Sequence, residues 1–139
     1  MPFATNTIHS TALGYLSGGD VTTGINNTGI GAYALAAYGG TGAAFQTGDN
    51  NTALGRRALN SNVNGHDNTA LGEAAGYSTT GSHNIYIGKL AAWQNTSGTN
   101  NIVIGASATS SSTTVSNEIT LGDANITKLR VPGINVTLK

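Results

Sequence analysis

The sequence predicts an all-β protein, a parallel β-solenoid of about seven coils of ~17 residues each. The first observation is a five-residue motif that recurs seven times: a polar residue, Thr or Ile, a variable residue, Leu or Ile, and Gly. The second is the spacing of its closing glycines, 16 or 17 residues with one interval of 24. These anchor glycines are Gly14, Gly31, Gly55, Gly72, Gly88, Gly105 and Gly122. The interval of 24 therefore marks an insertion of seven residues between Gly31 and Gly55.

Each motif predicts one short strand that ends at a bend on the anchor glycine. The first and third residues of the strand share one face by period-two alternation, as in the pairs Thr28 with Ile30 and Ile85 with Ile87. After the bend we expect a second, weaker strand or a turn, then a corner rich in Gly and Asn. A helix is disfavoured because Gly and Asn recur at fixed points and no sustained 3.6-residue apolar stripe is present.

The two faces of the strands differ in character. The residue before the anchor is always Leu or Ile, which predicts one dependable large apolar core residue per coil. The opposite, variable column is Ala12, Gly29, Ala53, Ala70, Tyr86, Val103 and Thr120. Because such a coil buries little apolar area against a backbone entropy cost of roughly 1–2 kcal/mol per residue, we expect this small-residue face to pack against another copy of the rod. The alternative is a slender monomer.

Polar columns flank the strands at the corners of the predicted coils. Four residues before the anchors stand Ser10, Asn27, Asn51, Asn68, Asn84, Asn101 and Glu118, and five residues before them stand His9, Asn26, Asn50, Asp67, His83, Asn100 and Asn117. Asn tolerates turn conformations and forms amide ladders between coils, so we interpret these columns as structural. Directly after three successive anchors, Arg56, Glu73 and Lys89 alternate in sign, which predicts control of stacking register.

The motif N-T-A-L-G-x-x-A-L, present at Asn51 to Leu59, resembles the head repeats of trimeric autotransporter adhesins and, more closely, the repeat regions of bacteriophage tail fibres. The segment Asn117 to Gly133 is similar to the stretch that precedes a self-cleaving chaperone domain in many phage fibres. The resemblance implies a left-handed β-roll assembled as a homotrimer. It also implies a structural, host-receptor-binding segment of a virion, with other tail proteins as partners. The alternative is the head fragment of a trimeric adhesin on a bacterial cell surface.

The period divides the chain into three parts. Residues 1–9 are expected to be an N-terminal lead-in, residues 10–122 the β-roll with its insertion near 36–46, and residues 123–139 an exit segment.

Composition and motifs exclude several classes of function. Six basic and six acidic side chains cancel, and charged residues are only 9% of the chain, so no nucleic-acid partner is expected. No apolar run approaches the ~18 residues of a membrane span, and the start of the chain has no signal-peptide pattern, so we expect no membrane insertion. Carboxylate pairing and a G-x-S-x-G elbow are both missing, so we expect no enzyme and no cofactor, with a polysaccharide depolymerase as the rival class. Ice binding is disfavoured because the threonine column that begins at Thr11 is interrupted by Ile85 and Ile102.

The histidines do not indicate a metal site in the sequence. His9 and His83 share a column but lie several coils apart, and His66 stands one column away beside Asp67. Solvated or ladder histidines are the favoured interpretation, and no metal ligand is predicted.

Aromatic residues are the candidates for receptor binding. Tyr38 and Phe45 lie in the insertion, which is released from the packing rule of the coils, and insertions in solenoids emerge on one face. Tyr77 and Trp93, each five residues after an anchor on adjacent coils, are the second choice because aromatic rings suit the apolar faces of sugars. The alternatives are a clasp between subunits for the insertion and a cover over the small-residue coils for the two rings.

Overall fold

A computed structural model describes residues 9–19, 23–37 and 46–130. Seven three-residue strands, one per coil, form a single parallel sheet in chain order, which makes a β-solenoid of about six turns. They are β1 (Thr11–Leu13), β2 (Thr28–Ile30), β3 (Thr52–Leu54), β4 (Thr69–Leu71), β5 (Ile85–Ile87), β6 (Ile102–Ile104) and β7 (Ile119–Leu121). The prediction of a parallel solenoid is confirmed. Within these described ranges, no helix is long and apolar enough to cross a membrane.

The strand register follows the repeat in every pair. Leu54 lies opposite Leu71, for example, and each residue of β3 faces the equivalent residue of β4. Across the insertion Ile30 still lies opposite Leu54, so the seven extra residues leave the sheet register unchanged. Residues 38–45, which form most of the insertion, lie outside the described residues.

Within the described residues, turns and not a second strand complete the coils. The second and fourth residues after the anchor adopt left-handed backbone conformations, as in Arg57 (φ 60°) and Leu59 (φ 48°). Positive φ values are uncommon for residues other than Gly, Asn and Asp. Here they direct backbone N–H groups toward neighbouring coils: Arg57 N–H donates to Ala32 O at 2.9 Å and Leu59 N–H to Ala75 O at 3.0 Å. These bonds between coils offset the backbone strain, and they recur from coil to coil.

The faces of the strands are reversed relative to the sequence prediction. The alternation itself is present, but Ala53, Ala70, Tyr86 and Val103 of the variable column are fully buried inside the coils. The Leu and Ile column points outward instead. The core contains Ala34, Leu35, Ala53, Ala58, Leu59, Ala70, Ala75, Tyr86, Ala91, Ala92, Val103 and Ala108. A coil of this size encloses a narrow interior, so small residues line it, and the prediction that the variable column packs against another copy is wrong.

Tyr86 fits this narrow interior because the preceding coil has a glycine, Gly76, where the ring lies. A Cβ added at Gly76 would overlap the Tyr86 ring, and Gly76 also has a left-handed φ of 58°. Leu59 borders the same space. The large ring and the missing side chain are therefore complementary parts of one core.

The inner asparagine column forms a continuous ladder through the rod. Asn68 is fully buried, and its Nδ2 donates to Gly81 O at 2.9 Å and to Asn51 Oδ1 at 3.1 Å. Its Oδ1 accepts a bond from the backbone N–H of Asn84 at 3.0 Å. Equivalent bonds join Asn27, Asn51, Asn84 and Asn101 to their neighbours. The predicted ladder is confirmed, and it lies inside the coils where it satisfies backbone groups that no water reaches.

Candidate functional site

The most extensive exposed apolar surface of the described residues is a stripe on the outside of the sheet, here called the outer face. It is formed by the first and third residues of each strand. Its large members Leu13, Leu54, Leu71, Ile85, Ile104, Ile119 and Leu121 are between 38% and 68% exposed. Ile30, Ile87 and Ile102 are half-buried in the same two columns. Parallel pairing spaces these side chains at roughly 4.8 Å, so the third residues form one apolar column along the whole sheet. The first residues add a second apolar column only from β5 to β7, because β1 to β4 have Thr at that position.

A second feature is a shallow depression of about 130 Å³ lined by Tyr33, Arg57, Asn60 and Tyr77. Tyr33 and Arg57 occupy the same turn position on successive coils, and the Arg57 guanidinium lies 5.8 Å from the Tyr33 ring centroid. Asn60 Nδ2 donates to Tyr33 O at 3.0 Å. Tyr15 supports Tyr33 from the preceding coil in an edge-to-face contact, with ring centroids 5.4 Å apart. The depression therefore combines two aromatic rings with guanidinium and amide donors.

The depression lies beside the base of the insertion. Ala36 shares the column of Asn60 and Tyr77, five residues after its own anchor, and Ala37 is the last described residue before residues 38–45. Gln46, the first described residue after that gap, is buried. Tyr38 and Phe45, the first-choice receptor residues of the sequence prediction, lie outside the described residues.

Tyr77 and Trp93 occupy equivalent positions on adjacent coils, as the period requires. Backbone bonds from Ser61 N–H to Tyr77 O and from Ser78 N–H to Trp93 O keep this register. Within the described ranges, however, the ring pairs in contact are Tyr15 with Tyr33 and His66 with His83. Trp93 is 40% exposed and does not line the depression with Tyr77. The two rings are therefore not in contact, and of the two residues only Tyr77 lines the depression.

The charged column behaves as the period predicts. Glu73 lies between two cations on neighbouring coils, with its Oε1 3.2 Å from Arg56 Nη1 and its Oε2 3.1 Å from Lys89 Nζ. The hydrogen bond and charge of Lys89, followed by those of Arg56, hold the pKa of Glu73 below its usual value. A lowered carboxyl pKa contributes stability above the unfolded-state pKa, and this contribution is lost as the pH falls through the folded-state value.

Replacing Glu73 with lysine is expected to lower the melting temperature slightly in low-salt buffer. The change puts three like charges on successive coils where an alternating triplet now stands. Added salt screens this repulsion, so the difference from wild type should shrink as sodium chloride is raised. Thermal unfolding at two salt concentrations measures it. The isosteric variant Glu73→Gln, which removes attraction without adding repulsion, should fall between the two, and equal melting of all three proteins would contradict stacking of these side chains.

The structure brings together His66, Asp67 and His83, of which Asp67 and His83 share a column on adjacent coils and His66 stands in the neighbouring column. Asp67 Oδ2 lies 2.7 Å from His66 Nδ1 and 3.5 Å from His83 Nε2. The hydrogen bond from His66 is the main cause that holds the pKa of Asp67 below its usual value. The sequence signal was available in the diagonal relation, because His66 on one coil and His83 on the next stand in neighbouring columns.

Comparisons of this chain with family models, with curated proteins and with solved structures find no significant match. The outer face and the depression are therefore the features of the molecule that bear on its function.

Proposed function

We propose that this chain is a structural, host-receptor-binding segment of a bacteriophage tail fibre or similar appendage, which assembles as a homotrimer through its outer face. The single observation that supports this most is the outer face itself. In every strand the third residue of this face is Leu or Ile, yet the core of the coil does not use that column. Contiguous exposed apolar surface of this kind is typical of protein interfaces.

A second and third copy of the same chain are the partners that fit this surface. Every coil repeats its apolar side chains at one strand spacing, so another copy matches that spacing along the whole rod. The chain has no net charge, so long-range repulsion does not oppose self-association. The number three, and a location in the virion, come from the resemblance of the repeat to phage fibres. The head of a trimeric adhesin on a bacterial cell surface is the alternative and needs the same interface.

For receptor binding, the depression beside the insertion is the part of the described surface best suited to a glycan. The ring of Tyr77 offers a face for the apolar side of a sugar, and the Arg57 guanidinium offers donors for its hydroxyl or carboxylate groups. A larger depression of about 210 Å³ near Ser110 has only polar side chains along its rim. Within the described residues we therefore propose Tyr77 together with Arg57 as the receptor site, and Tyr38 and Phe45 remain predictions from the sequence.

Replacing Tyr77 with alanine is expected to weaken binding to a host polysaccharide by about tenfold or more, which corresponds to the loss of one aromatic contact of about 1.4 kcal/mol. An array of bacterial surface polysaccharides, probed with the labelled wild-type chain, identifies the ligand for this titration. Melting temperatures of the two proteins should agree closely because Tyr77 is only half-buried.

Trp93→Ala is the matched control, since Trp93 occupies the same coil position outside the depression. Equal losses in both variants would indicate binding along the coils and contradict the depression. A third variant lacks the seven extra residues of the insertion. If it folds but no longer binds, the insertion belongs to the site, whereas loss of the oligomer would identify the insertion as a clasp between subunits.

A further inference from the structure

We propose that His66, Asp67 and His83 form a surface site for a divalent transition-metal ion, with Zn²⁺ as the best-fitting probe. All three residues are exposed, and one donor atom from each lies within 4.8 Å of the other two. The site lies at a corner of the solenoid, on two adjacent coils. It is separate from the outer face and does not depend on the proposed receptor function.

The distances suit a small ion. Ligand atoms about 2.0–2.1 Å from a tetrahedral zinc are separated from each other by roughly 3.3 Å. The separations of Asp67 Oδ2 from His66 Nδ1 and from His83 Nε2, 2.7 and 3.5 Å, lie on either side of that value. The rings of His66 and His83 meet edge to face with centroids 5.0 Å apart, and their ligand nitrogens lie within 4.8 Å of each other. Rotation of the side chains must shorten that separation to roughly 3.3 Å for both nitrogens to bind one ion. Binding of the ion would replace the hydrogen bond between His66 Nδ1 and Asp67 Oδ2.

The ligand types select the class of metal. Two imidazoles and one carboxylate favour Zn²⁺ and its neighbours in the first transition row, whereas Ca²⁺ and Mg²⁺ prefer all-oxygen sites. Three protein ligands also leave one tetrahedral position open to water.

Backbone hydrogen bonds fix the relative positions of the three residues on adjacent coils. His83 N–H donates to His66 O at 3.0 Å, and Asp67 N–H donates to Asp49 O at 3.0 Å. Asn50 Nδ2 donates to Asp67 Oδ1 at 3.1 Å, which leaves Oδ2 directed at the histidines. Preorganised ligands lose little freedom when a metal binds.

The column five residues before the anchors contains Asp67 and His83, and its other members show that the fold itself does not require these two residues. Apart from His9 at its start, the rest of this column is an asparagine ladder, with Asn26 Nδ2 bonded to Asn50 Oδ1 and Asn100 Nδ2 bonded to Asn117 Oδ1. Asp67 and His83 have the same left-handed backbone as those asparagines. Asparagine can therefore form the turn and the bond between coils at this position. Asp67 and His83 differ from it by having side chains that bind metal ions.

The test is calorimetric titration of the tag-free chain with Zn²⁺ at neutral pH, repeated with Ca²⁺. We expect about one Zn²⁺ per chain, a rise in melting temperature that EDTA reverses, and little heat with Ca²⁺. His83→Asn and Asp67→Asn should each lower the Zn²⁺ affinity by at least about tenfold, because each removes one of three ligands. Both variants restore the residue type of the column, so their metal-free melting temperatures should equal or exceed that of wild type.

His9→Asn is the matched control, since His9 stands in the same column with the same backbone conformation but several coils away. Its Zn²⁺ affinity should equal that of wild type. Unchanged affinity in His83→Asn, an equal loss in His9→Asn, or binding of Ca²⁺ without Zn²⁺ would each overturn the proposal. A stoichiometry well above one with no effect of any variant would indicate scattered surface binding and overturn it as well.

Discussion

Replacing Leu71 with glutamate is expected to convert the proposed homotrimer into monomers that keep the solenoid fold. Leu71 is 44% exposed in the centre of the outer face, so the glutamate side chain remains solvated in a single chain. In the trimer it would place an unpaired carboxylate from every subunit in an apolar contact. Burying this carboxylate should cost about 4 kcal/mol, which raises the dissociation constant of the oligomer roughly a thousandfold. Light scattering should give about three times the 14.0 kDa chain mass for wild type and one chain mass for the variant.

Two further variants separate this result from other causes. Gln94→Glu adds the same charge to an exposed turn away from the outer face, and it should leave the mass of the oligomer unchanged. Ala70→Asp, on the fully buried opposite face of the same strand, should unfold the coil itself and not merely separate the chains. A folded wild-type monomer at micromolar concentration would show that the outer face does not hold copies of the chain together.

The second large effect is expected inside the rod, where Asn68→Asp should lower the free energy of unfolding by about 4 kcal/mol at neutral pH. The variant loses the amide donors to Gly81 O and Asn51 Oδ1 and places a carboxylate against both acceptors. Each unsatisfied buried group costs about 1–3 kcal/mol, and a buried unpaired charge costs more. Denaturant unfolding monitored by circular dichroism measures the loss.

The pH dependence of this variant has a definite sign. Burial without a cationic partner raises the pKa of the new carboxyl above the ordinary value of about 3.9. The stability deficit should therefore be smallest below about pH 4 and should grow as the pH rises through the folded-state pKa. Asn100→Asp makes the same chemical change in the exposed outer ladder and should cost no more than about 0.5 kcal/mol. Equal losses at the two positions would mean that the inner ladder does not support the coils.

Much of the fold follows from spacing alone. The anchor glycines predict one coil per repeat, and the observed register pairs equivalent residues even across the insertion. The polar columns predict ladders between coils, and the bonds from Asn50 to Asp67 and from Glu73 to Lys89 are examples. Such contacts are predictable because every coil contacts its neighbours in the same way, so sequence period and spatial neighbour coincide.

What the period leaves open is which side of the strand is inside. Alternation places Ala70 and Leu71 on opposite faces of the strand, but it does not say which face lies inside the coil. The closed coil breaks this symmetry, because its narrow interior holds Ala70 and the amide of Asn68 and leaves no room for a column of leucines. The meeting of His66 with His83 was hidden for a related reason, since their contact runs diagonally between columns. By itself, then, the sequence determines the coils, their register and their ladders. The inside of the rod, its exposed apolar face and the histidine cluster are decided by how the backbone closes around a small volume.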